Sequence, residues 1–111
     1  MSKFKYDSEV ADLPDAVTWM SVDFDGVVAE QIWTTPGVGD RIERNMPKME
    51  RIKELGRQII IHSARPWGDY RTLERWLQEN EIPYDGIVLG KLQAHRYVDD
   101  KAVHSEDLEW L

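Results

Sequence analysis

The stretch AVTWMSVDFDGVVAE, Ala16 to Glu30, decides the fold. An apolar run from Ala16 to Val22 ends in two carboxylates, Asp23 and Asp25, and Gly26 then lets the backbone turn away. Residues i and i+2 of an extended chain point the same way, so both acids face one spot. Like charges that close repel unless a cation, a shared proton or a substrate lies between them. The run predicts a strand over 16–23, apolar enough to be buried on both faces as in parallel sheets. Charge concentrated at the end of such a strand points to chemistry there.

Working outward, apolar runs alternate with helical periodicity. Residues 29–40 (AEQIWTTPGVGD) hold Pro36, Gly37 and Gly39 and predict a loop or small flap. Met46, Met49, Ile52 and Leu55 recur at three-residue steps and predict a helix over roughly 45–56. Asn45 is its candidate cap, Pro47 suits the first turn and Gly56 the stop. Ile59-Ile60-Ile61 is a β-branched run that predicts a central strand. Asp69 is placed to cap a second helix ending near Asn80, with Tyr70, Leu73, Trp76 and Leu77 on one face. Ile87-Val88-Leu89 predicts a third strand, Lys91 to His95 a short helical turn, and Tyr97-Val98 a fourth strand.

Strands alternating with helices imply a single-domain, Rossmann-like α/β fold: a parallel sheet with right-handed crossovers and flanking helices. Ligands in such sheets bind beyond the carboxyl ends of the strands. Residues 1–15, polar and containing Pro14, are expected to be an N-terminal extension, and residues 16–111 the core.

Bulk composition sets limits. A chain of 111 residues suits one domain. Its 41% hydrophobic and 32% charged residues are those of a globular protein. The net charge of -7 weighs against a general binder of phosphate backbones, which would carry a basic face. It leaves room for a small phosphorylated substrate held by a few cations and a metal. With no cysteine, disulfides and thiolate metal sites are excluded. No apolar run approaches membrane-spanning length and the N-terminus lacks the apolar core of a secretion signal, so a cytoplasmic protein with no membrane partner is expected.

The residues that follow each apolar run carry the functional signal. The first run ends in Asp23-x-Asp25, the second in His62-Ser63-Ala64-Arg65, the third in Gly90-Lys91 and the fourth in Asp99-Asp100. In a parallel sheet all four ends share one edge, which would gather four acids, a hydroxyl and two cations. Hard oxygen ligands suit Mg²⁺, and Lys, Ser and free N–H groups suit phosphate oxygens.

The order and spacing of DFDGVVAE, IIIHSAR, VLGK and YVDD resemble the four motifs of the haloacid dehalogenase-like (HAD) phosphatases, over roughly Val17 to Trp110. The resemblance implies a Mg²⁺-dependent phosphomonoester hydrolase of the small, capless kind. It implies Asp23 as the nucleophile that becomes an aspartyl phosphate, and Asp25 as general acid and then base. It implies Ser63 and Lys91 around the phosphoryl group, with Gly26, Ala64 and Arg65 also at the substrate. It implies Asp23, the Asp25 carbonyl, Asp99 and Asp100 around Mg²⁺. The short segments after the first and second motifs leave no room for a cap domain. The site is expected to be open, sheltered by a flap around Trp33 and Pro36, and able to admit a large substrate or to be covered by a second copy of the chain.

The same residues admit blander readings. An EF-hand-like loop at Asp23 and Asp25 would need a further ligand where Val27 stands. A signalling receiver would carry its acidic pair first and its acceptor Asp on a middle strand, and neither is so. A non-catalytic Mg²⁺ or phosphate module on the same scaffold stays open. So does an enzyme acting on a nucleotide or a phosphorylated nucleic-acid end, although the acidic charge weighs against nucleic acid. Arg65 can reach the phosphate or pair with an acid such as Asp69. Trp33 and Trp67 can stack on an aromatic leaving group or serve as packing. His62 is expected to pack beside its strand, and Trp76 and Trp110 to pack at the core or its edge, while His95 and His104 have no assigned role.

Overall fold

The computed structural model describes residues 18–32 and 37–111. The N-terminal extension, the start of the first expected strand and the flap residues Trp33 and Pro36 therefore lie outside the described residues. Three strands form one parallel sheet in the order β1-β2-β3: β1 is Trp19–Asp23, β2 Gln58–His62 and β3 Gly86–Val88. A 3-10 turn, Glu43–Asn45, leads into helix α1, Met46–Glu54, between β1 and β2. A second 3-10 turn, Trp67–Asp69, leads into helix α2, Tyr70–Glu79, between β2 and β3. Strand, helix, strand, helix, strand is the α/β pattern expected, and no helix among the described residues is long and apolar enough to cross a membrane.

The sheet follows from β2. Its Ile59 and Ile61 are buried while Ile60 and His62 between them are half-buried, the alternation of a strand with one closed face. Asp85 fixes where β3 begins, because its carboxylate accepts the Ile59 N–H at 2.7 Å and its own N–H donates to the Ile59 carbonyl at 2.7 Å. β1 departs from expectation: Val22 is buried, but Trp19 and Ser21 are exposed, so only one face of this strand is closed.

The helices supply the closing layer. Met49 and Ile52 of α1 and Leu73 and Leu77 of α2 join Val22, Phe24, Ile59 and Ile61 in the core. Each such side chain contributes about 1.5–3 kcal/mol when fully buried. Pro47 lies in the first turn of α1 as expected, where its missing N–H costs no helical bond. Neither expected cap serves as one: Asn45 and Asp69 make no side-chain bond to their helix ends. Asn45 is drawn instead into a tertiary hydrogen bond described below, and Asp69 lies near the Arg65 guanidinium four residues before it. Trp110 is buried and donates its indole N–H to the Ser105 carbonyl at 3.2 Å, which docks the chain's end beside α1 under Lys48.

The fourth strand at Tyr97-Val98 and the helical turn at Lys91 to His95 are not formed, and residues 89–104 run without helix or strand. Val98 is 101% exposed. The Tyr97 hydroxyl folds back on its own segment, accepting the Ala94 N–H and donating to the Leu92 carbonyl. Two apolar residues carry no alternation that could lock a register.

Candidate active site

Three strand ends meet at one rim of the sheet. Asp23 closes β1 opposite His62 of β2, and His62 lies opposite Val88 of β3. The connections beyond β2 and β3 are stitched by backbone bonds. Ser63 N–H donates to Val88 O, Lys91 N–H to Ser63 O, and Gly90 N–H to Arg65 O, at 2.9–3.0 Å. Ser63 and Lys91 are thus held by the same ladder that continues the sheet.

The loop after β1 is a compact turn. The N–H groups of Val27, Val28 and Ala29 all converge on the Phe24 carbonyl, and Gly26 donates its N–H to Ala29 O at 2.7 Å. Gly26 adopts φ 87°, a conformation open to glycine at no steric cost. The Gly26 N–H thereby shapes the turn that presents Asp25. Asn45 holds the turn from below: fully buried, it donates Nδ2 to the Val27 carbonyl at 2.8 Å.

Asp23 is partly buried and accepts the Phe24 N–H at 3.0 Å. Burial pushes its carboxyl above the usual range. The Lys91 ammonium and the Phe24 N–H pull it back, while the Asp25 charge adds to the rise and His62 opposes it. Burial also lowers His62, helped by Lys91 and opposed by Asp23. His62 packs half-buried at the end of its strand, in the field of Asp23 and Lys91, with Nδ1 3.4 Å from Ser21 Oγ. Lys91 Nζ also sits 4.3 Å over the Tyr97 ring. Ser63 is buried, and its Oγ accepts the Arg65 N–H at 3.0 Å, which leaves the hydroxyl proton as a donor. Ala64 beside it is exposed.

Arg65 is the residue whose place the sequence did not disclose. Nε donates to Asp25 Oδ2 at 2.9 Å and Nη2 to Asp25 Oδ1 at 2.8 Å, a two-pronged fork. Nη2 also donates to the Gly37 carbonyl at 2.9 Å. Asp69, the acid named beside the phosphate as an alternative partner, stands farther off, with Oδ2 3.8 Å from Nη1. The fork strengthens the hold of Arg65 on its proton. The spacing Ser63-x-Arg65 was the available signal, but a partner 40 residues away leaves no local trace.

Trp67 is 57% exposed, is stacked 6.4 Å from Tyr70, and lies against Gly90. It is positioned beside the ends of β2 and β3, where either stacking on a ligand or packing is open to it.

The fourth expected group is not gathered in. Asp99 and Asp100 are exposed, and Asp99 Oδ1 accepts the Lys101 N–H at 2.7 Å. Among the described residues no three His, Asp or Glu side chains form a cluster able to hold a metal ion. Of the donors a hard dication would need, the half-buried Asp23 carboxylate lies at this rim, with burial holding its carboxyl above the usual range. Asp23, Asp25, Ser63, Arg65 and Lys91 are brought together, and the acidic pair is not.

No protein-family model matches the chain, and no curated protein matches it. Among solved structures, the fold is similar to the crystal structure of a protein from Vibrio cholerae, with a TM-score of 0.64 and 26% identity over 80% of this chain and 85% of that one. The likeness extends over most of both chains and supports the α/β arrangement.

Proposed function

We propose that this chain is a phosphomonoester hydrolase of the HAD type, working at Asp23 with Mg²⁺ on an open site. One observation carries the reading: a half-buried carboxylate, a buried hydroxyl and an ammonium ride on the adjoining ends of three parallel strands, and the ammonium acts on the carboxylate. In this reading an Asp23 oxygen bonds to phosphorus as the ester P–O bond breaks. Asp25 gives its proton to the departing oxygen and then takes one from the water that cleaves the aspartyl phosphate. Ser63 Oγ and Lys91 Nζ hold phosphoryl oxygens, where fixed donors stabilise the charge that develops. Magnesium would be held by Asp23 and the Asp25 carbonyl and would supply charge that lets the anionic substrate approach a carboxylate; Asp99 and Asp100, exposed and apart from this group, would have to move in to complete its shell. The β2–β3 connection carries only a 3-10 turn and one ten-residue helix, which supports the capless form. An open site admits a small phosphorylated substrate or the phosphorylated end of a larger one.

A second reading, a module that binds Mg²⁺ or phosphate without turnover, draws support from Arg65 occupying both oxygens of Asp25. Phosphate release from a panel of phosphomonoesters, beginning with p-nitrophenyl phosphate, separates the two. The enzyme releases phosphate with Mg²⁺ and stops with EDTA or on Asp23→Asn substitution. Release that survives both treatments overturns the proposal.

A further inference from the structure

We infer that Arg65 is a positioning residue for Asp25 and not a ligand of the substrate phosphate; this rests on the phosphatase reading above. The guanidinium has five N–H groups. At least three of them are spent among the described residues, on Asp25 Oδ1, Asp25 Oδ2 and the Gly37 carbonyl, all at 2.8–2.9 Å. The Arg65 side chain is only 5% exposed and that of Asp25 16%. An anion arriving from solvent therefore meets the carboxylate before the guanidinium. A phosphate oxygen could claim the fork only by displacing Asp25 from it.

The surroundings fix the guanidinium from several sides. Its Cζ lies 5.8 Å from the centre of the Phe24 ring, and Phe24 is fully buried with Trp76 edge-on to it at 5.2 Å. Asp69 adds a carboxylate near Nη1. The Arg65 main chain is bonded at both ends, its N–H to Ser63 Oγ and its carbonyl to Gly90 N–H. Arg65 thus joins the phosphate-side strand ends to the one carboxylate whose aim matters to the leaving group. It also ties together the two ends of the segment that runs from Asp25 to Gly37. A carboxylate has about four lone-pair positions, and the fork takes two, so a proton and the leaving oxygen still have a place on Asp25. Bidentate pairing fixes orientation as well as energy, which a lysine ammonium cannot reproduce.

The test compares two esters by kcat/KM, which reports events up to formation of the phosphoenzyme. The phenolate of p-nitrophenyl phosphate departs without a proton, whereas the alkoxide of glycerol 2-phosphate needs the proton of Asp25. Arg65→Lys keeps the charge and loses the fork. Its kcat/KM should fall about 10- to 100-fold on the alkyl ester and less than about threefold on the aryl ester, within the range that general acid catalysis spans. KM should change little on either. In an Asp25→Asn background the lysine substitution should add no further loss on the alkyl ester. Should the lysine variant melt before assay temperature, Arg65→Gln is put through the same comparison. Equal losses on both esters, or a rise in KM on both, would make Arg65 a phosphate ligand and overturn this inference while leaving the phosphatase reading intact. A wild-type protein that releases phosphate from neither ester overturns both.

Discussion

Asn45 offers the sharpest test of how the site is supported. The residue is fully buried, its Nδ2 holds the Val27 carbonyl at 2.8 Å, and its Oδ1 has no partner among the described residues. Asn45→Ala removes that hydrogen bond, worth about 1 kcal/mol, and leaves the Val27 carbonyl without Nδ2 in a partly buried place, about 1 kcal/mol more. A small void adds about 1 kcal/mol. Deleting the unpartnered Oδ1 returns about the same amount. The net loss is about 2 kcal/mol. Unfolding entropy of about 2.1 cal/mol/K per residue gives this chain about 0.23 kcal/mol/K, so Tm should fall by about 9 °C. Asn45→Asp should be worse, because it sets a second acceptor against the Val27 carbonyl and buries a charge. Thermal melts followed by circular dichroism read both variants. Phosphate release should fall as well, since the Val27 turn carries Asp25. A Tm for Asn45→Ala within about 2 °C of wild type would refute the claim that this side chain braces the turn.

Three further outcomes are expected. Asp23→Asn should end phosphate release yet raise Tm at neutral pH. The Asp23 carboxyl is raised above its ordinary 3.8, so its contribution to stability is full below that value and is lost as pH rises through the folded-state pKa; the advantage of the Asn variant should therefore vanish in acid melts. Lys91→Ala removes the largest influence that lowers Asp23, so the acidic limb of kcat/KM against pH should move to higher pH, with an overall fall in rate; an unmoved limb would detach Lys91 from Asp23. Gly90→Ala places a Cβ at φ 75°, costing about 1–2 kcal/mol. It also brings that carbon 3.2 Å from the Trp67 indole nitrogen, so melts should show a Tm drop of about 5–8 °C.

The sheet and both helices were legible because their apolar residues carry periodicity over whole elements. Ile59 to Ile61 could only be a strand, and Leu73 with Leu77 could only be one helix face. Tyr97-Val98, with only two apolar residues, carries no such pattern and lies in solvent, so Asp99 and Asp100, placed as the end of a fourth strand, are not gathered with the rest. Asp23, Ser63 and Lys91 were found because each follows an apolar run, and a parallel sheet collects strand ends. Arg65 was noticed, but its partner was not, since which carboxylate a guanidinium meets depends on how the turn after β1 folds over the β2 end. Asn45 looked like a cap for the same reason: local spacing was visible, and its tertiary bond to the Val27 carbonyl was not.

The pairing of β2 has one more implication. Sliding this strand by a single residue against β1 would turn Ile59 and Ile61 outward and carry His62 inward, and Ser63 would leave its bond to Val88. Because the greasy interior and the reactive rim are written on the same five-residue ribbon, a chain threaded wrongly forfeits both together. If the chain hydrolyses phosphomonoesters as proposed, full specific activity in a preparation would certify correct threading, and turnover would serve as a sensitive gauge of refolding quality.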